Sequence, residues 1–115
     1  MNKIPLKLRE ELAKNPLWKI CSLADENCKG RIQWHHNFQY ANKQIQEKFS
    51  IISICEYHHE RARSKEFRDL IDWICLSRAT SDELAKYPKV DWKQKFKFLT
   101  NKYGRFKKRS EKSLF

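Results

Sequence analysis

Residues 31–38 read RIQWHHNF and residues 55–63 read CEYHHERAR. All four histidines of the chain lie in these two stretches, as the adjacent pairs His35–His36 and His58–His59. The alternation in RIQWHH suits a short strand ending on the first pair. The run FSIISIC, residues 49–55, is rich in β-branched residues and predicts a second strand. From Tyr57 to Arg78 the pattern predicts one long helix. Phe67, Leu70, Ile71 and Ile74 recur there at helical spacing and should face a core. Residues 37–48 between the strands are polar and read as a loop, with one helical turn over NKQIQEK. The order is therefore strand, loop, strand, helix. One histidine pair ends the first strand, and Cys55 with the other pair sits where the second strand enters the helix.

Helices are expected on both sides of this unit. Ile4 to Asn15 reads as a helix, with Pro5 in its first turn, Leu6, Leu8 and Leu12 as a broken apolar stripe, and Asn15-Pro16 at its end. Lys19 to Gly30 reads as a loop bracketed by Cys21 and Cys28, with Gly30 as a turn point. Thr80 or Ser81 can cap a short helix through Tyr87, which Pro88 ends. Asp91 then caps a last helix with Trp92, Phe96 and Leu99 on one face. Past Gly104 a frayed basic tail is expected. The reading is an α+β, mostly helical single domain over residues 1–104, with its core at 19–79 and a basic tail at 105–115.

At 115 residues the chain fits one domain with a modest core, which a bound metal would reinforce. With 40% hydrophobic and 34% charged residues, the composition is that of a folded globular chain. No apolar run of about 18 residues exists, so no membrane span is expected. The first fifteen residues lack the apolar core of a secretion signal, so a cytoplasmic location is expected. In that compartment four cysteines favour metal ligation over disulfides. The formal net charge is +11, and its placement is uneven. Residues 86–115 hold eleven Lys and Arg against two acids, whereas residues 1–85 are close to neutral. Aromatic residues interleave the basic ones in DWKQKFKFLTNKYGRFKKR, and nucleic acid is the expected polyanionic partner.

Structural zinc takes four Cys or His ligands in a closed tetrahedron. Cys21 and Cys28, with six residues between them, form one bracket. Cys55 and His58, with two between, form the other, and such a knuckle can bend two ligands onto one ion. Cys75 is the rival fourth ligand, although a small apolar role in the helix suits it better. His35, His36 and His59 then remain as candidate bases or ligands of a second, open site. Surface histidines, or four histidines serving one zinc, are the plainer alternatives.

These residues resemble the HNH endonucleases, which have a ββα-metal fold. The resembling pattern is two cysteines, a histidine pair ending a strand, and a C-x-x-C-H element entering a helix. Cys21 and Cys28, His35-His36 and CEYHH stand in those places, over Cys21 to Arg63. Two departures are visible. His58 stands where many members carry a second Cys, and Ser50 stands where the family's middle Asn would fall.

The resemblance implies a metal-dependent phosphodiesterase with a structural zinc on Cys21, Cys28, Cys55 and His58. It makes His36 the general base. It makes His59 and His35 the ligands of a catalytic Mg2+ or Mn2+, with Ni2+ or Co2+ as substitutes. It implies DNA as substrate, RNA not being excluded, and points to phage DNA processing. Arg61 and Arg63 are further candidates for the substrate phosphate. Other zinc enzymes fit less well. The P-C-x-x-C of nucleobase deaminases and the H-E-x-x-H of metalloproteases are both absent. The rival expectation is a zinc-stabilised DNA-binding module on the same scaffold, weak or inactive in catalysis.

Overall fold

The computed structural model describes residues 4–110, with side chains as far as residue 103. Its order is α1 (Leu6–Ala13), β1 (Ile32–His36), β2 (Gln39–Tyr40), β3 (Lys43–Gln44), β4 (Ile51–Cys55), α2 (Glu56–Glu60), α3 (Arg68–Ser77), α4 (Ser81–Ala85) and α5 (Trp92–Ser110). The fold is α+β, built around an antiparallel pair of strands. β1 and β4 pair in the register Ile32 with Cys55 through His36 with Ile51.

Every residue of β4 is buried, as its run of isoleucines requires. Alternation divides the hairpin into two faces. Ile52 and Ile54 enter the main core with Phe49, Phe67 and Ile71. Ile51 and Trp34 face the other way and meet Leu12 of α1 and Trp18. Trp18 lies in a 3-10 turn, Pro16–Lys19, which the Asn15 side chain caps at the Leu17 N–H. Its indole N–H donates to the Ile51 carbonyl at 2.7 Å. Ser53 is fully buried on β4, and its hydroxyl reaches the carbonyls of Leu17 and Ile20 at 2.9 and 2.7 Å. The N-terminal segment is thus sewn to the hairpin just before Cys21.

Three expectations are corrected. The long helix from Tyr57 to Arg78 is two helices, α2 and α3, joined by a turn over residues 61–67. Residues 61–66, RARSKE, offer only Ala62 as an apolar anchor. Ala62 and Phe67 are both buried, and the chain turns between them to reach the core twice. The Ser64 hydroxyl bonds back to the Arg61 carbonyl at 2.8 Å and closes that turn.

The helical turn expected over 42–48 is instead the second strand of a small hairpin, β2–β3. Ala41 and Asn42 both take positive φ, 52° and 67°, as a two-residue hairpin turn of the favoured hand requires. Ile45, just beyond, is buried and donates its N–H to the Phe38 carbonyl.

The frayed tail expected past Gly104 is helical as far as Ser110, and residues 111–115 lie outside the described residues. One glycine costs a helix about 1 kcal/mol, which the surrounding helix formers offset.

α3 and α5 pack side by side. Lys102 pairs with Asp69 at 2.8 Å, Lys95 with Asp72 at 3.4 Å, and Tyr103 stacks on Trp73. Trp92 is buried and Phe96 packs on the main core, so these aromatics are structural. Thr80 and Glu83 form the reciprocal cap of α4. No helix among the described residues is long and apolar enough to cross a membrane.

Candidate metal centre and histidine site

Four ligand atoms, from Cys21, Cys28, Cys55 and His58, lie within 4.8 Å of one another. β4 ends on Cys55, whose extended backbone caps α2 and brings His58 back onto it within one turn. Cys21 follows the sewn 3-10 turn, and Ser22 N–H bonds to the Ser53 carbonyl at 2.8 Å. Cys28 is returned to the cluster by the turn at Gly30, where φ is +86°. A side chain there would place its Cβ 2.7 Å from Cβ of Glu56, so only glycine fits.

The distances match a metal tetrahedron. With Zn–S near 2.3 Å and Zn–N near 2.05 Å, the S···N edges of a regular site are about 3.6 Å. Nδ1 of His58 lies 3.4 Å from Sγ of Cys21, 3.8 Å from Sγ of Cys28 and 3.2 Å from Sγ of Cys55. Three sulfurs and one imidazole can therefore hold a zinc ion, with every position filled by protein. Cys75 is not part of the group. It is buried in α3, where burial pushes its thiol up to about 12.

Neighbouring groups prepare the ligands. Burial alone would raise the Cys55 thiol, but donation from the backbone N–H groups of His58 and Lys29 outweighs it and lowers the thiol to about 6. The His58 ring is fully buried between Tyr57 and Phe67. Its Nε2 lies 3.0 Å from Oδ2 of Asp25. With Nε2–H donated to that carboxylate, Nδ1 keeps its lone pair toward the sulfurs, the usual arrangement behind a metal-bound histidine. Asp25 was not singled out in the sequence. A lone acid in a loop between two cysteines carries no spacing signal of its own.

The remaining histidines divide. His35 on β1 and His59 on α2 meet edge to face, with ring centroids 5.3 Å apart. His58 and His59 are adjacent on α2, so one helix turns one histidine into the cysteine cluster and the next toward β1. His35 is held neutral, down at about 4, by burial first and then by the charges of His59, Arg63 and His36. A neutral imidazole is the form that ligates a metal. Among the described residues, no third Cys, His, Asp or Glu gathers with this pair. An ion there would keep positions for water or phosphate oxygens, as Mg2+ commonly does.

His36 is the last residue of β1, and its charge still reaches His35. Nε2 of His36 lies 3.0 Å from Oε1 of Gln46, a residue that carries no site signal in a segment whose sequence predicts a helical turn. Ser50 is fully buried. Its hydroxyl accepts from the Phe38 N–H at 3.0 Å and its carbonyl from the Asn37 N–H at 2.8 Å. It therefore fixes the two residues that follow the histidine pair. The two arginines also differ. Arg61 lies over the Tyr57 ring at 3.9 Å and donates to the Tyr57 carbonyl. Arg63 is exposed, with no hydrogen-bond or ion-pair partner among the described residues.

No protein-family model, curated protein or solved structure matches this chain.

Proposed function

We propose that the chain is a metal-dependent endonuclease of the HNH type, hydrolysing DNA phosphodiester bonds on a ββα-metal core pinned by structural zinc. The observation that carries this reading is the meeting of His35 and His59 where the β1–β4 hairpin joins α2. The same junction is anchored by the Cys3His cluster one residue away, at His58. A two-histidine site needs such an anchor, because a misplacement of about 1 Å can cost a hundredfold in rate.

In this reading His35 and His59 hold a divalent ion, Mg2+ or Mn2+. When bound, such an ion polarises a phosphate oxygen and stabilises the leaving oxygen. His36 is the general base. Donation of its Nε2–H to Gln46 leaves Nδ1 with the lone pair that takes the proton from the attacking water. Ser50 holds the backbone after the histidine pair, a bracing part that a short hydroxyl can fill from a buried position. The exposed lysines of α5, Lys93 and Lys97 among them, supply phosphate contacts that carry no sequence information.

The test is relaxation of supercoiled plasmid by zinc-loaded protein with Mg2+ or Mn2+, alongside His59→Ala. Nicking that needs the added ion and disappears in the variant is expected. Salt-sensitive DNA binding without nicking under any metal would replace this reading with the inactive binding module.

A further inference from the structure

A cleft of about 240 Å³ opens between the loop after β1, the α2–α3 turn and α5. Arg63, Arg68 and Lys95 line it, each from a different segment, with Asp72 as the one acid. Asp72 is already engaged. Its Oδ1 accepts from Nδ2 of Asn37 at 2.8 Å and its Oδ2 pairs with Lys95 at 3.4 Å. It therefore positions Lys95 and ties the residue after His36 to α3.

The arginines are much less engaged. Arg68 reaches Asp69 only at 3.9 Å, and Asp69 is held more closely by Lys102 at 2.8 Å. Arg63 has no partner among the described residues. Two open guanidinium groups facing one concave surface form a fork suited to phosphate oxygens. The cleft begins at Asn37, next to His36, and ends on α5, the basic helix. It thus lies on a path from the histidines to the lysine-rich surface.

We infer that this cleft holds a backbone phosphate of the DNA adjacent to the one that is cut, gripped by Arg63 and Arg68 with Lys95 positioned behind them by Asp72. The substrate class rests on the endonuclease reading; the grip itself is measured without cleavage. The experiment is fluorescence anisotropy of a short DNA duplex with the zinc-loaded full chain, without added Mg2+ or Mn2+, across a salt series. Arg63→Gln and Arg68→Gln are each expected to weaken binding about tenfold, the loss of one charged hydrogen bond. Each should also lower the slope of log affinity against log salt by about one. Arg31→Gln, at the opposite end of β1 from the histidine pair, should leave affinity and slope unchanged. All three side chains are exposed, so melting temperature and zinc content should match the parent.

Parent-like affinity and slope in both cleft variants would overturn the inference, even if the parent nicks plasmid. Equal losses in Arg31→Gln would overturn it too, since the effect would then be general charge. Weakened binding in the cleft variants alone, with a parent that nicks nothing, would sustain the cleft and remove the endonuclease.

Discussion

Asp25→Asn removes one charge and almost nothing else. In the parent, Oδ1 of Asp25 accepts from the Asn27 N–H at 2.8 Å and Oδ2 faces Nε2–H of His58 at 3.0 Å. Asparagine can keep the first contact through its own oxygen. Its amide nitrogen must then face Nε2–H, a donor against a donor. The ring is fully buried, so water cannot easily take over. Loss of such a partner behind a metal-bound histidine costs about ten- to a hundredfold in metal affinity. That is about 1.4–2.7 kcal/mol. A zinc ion held by the folded cluster alone would carry the same loss into the folding stability at fixed zinc. For a chain of this size the melting temperature should fall by roughly 5–12 °C. Competition against a chromophoric chelator gives the affinity, and circular dichroism at matched zinc gives the melting temperature. A variant with parental zinc affinity and parental melting temperature would refute the role of Asp25. A parent chain purified without zinc, and unable to take it up, would refute the cluster itself.

Cys55→Ala should lose its stoichiometric zinc, whereas Cys75→Ala should keep one zinc per chain and lose only core stability; metal analysis beside thermal melts separates them. Ser50→Ala should cost about 1–3 kcal/mol, because it strands the buried Phe38 N–H, and a denaturant titration reads this directly. Unfolded His35 takes up its proton near 6.5, but the folded residue does so only at about 4. Its contribution to stability is therefore complete above about pH 6.5 and shrinks as the pH falls toward 4. A pH series of melts should show that decline in the parent and a shallower one in His35→Gln.

Much of this was legible in the residues, for identifiable reasons. IISIC reads as a buried strand because β-branched residues have few other uses in such a run, although Phe49 and Ser50, expected in the same strand, lie in a 3-10 turn before it. The Cys55–His58 knuckle reads as a ligand pair because its spacing is a local constraint. A cap at Thr80 or Ser81 is announced by residue type alone, and Thr80 with Glu83 is the one that forms it. What escaped was set by tertiary demand. RARSKE is compatible with a helix, and only the burial of Ala62 and Phe67 on either side makes it a turn. The Ala41-Asn42 turn lacks the glycine that usually marks such a hairpin. The partners of the first histidine pair lie on other segments, His59 for His35 and Gln46 for His36, and no spacing announces them.

The decisive measurement is single-turnover cleavage of a labelled DNA duplex in Mg2+ by the parent and by His36→Ala, both zinc-loaded and both at saturating protein. The expected result is cleavage by the parent, a rate lower by about 10²–10⁴ in the variant, and unchanged duplex affinity. Equal rates in the two proteins would remove His36 as the base, and a parent that binds but never cuts would contradict the endonuclease altogether.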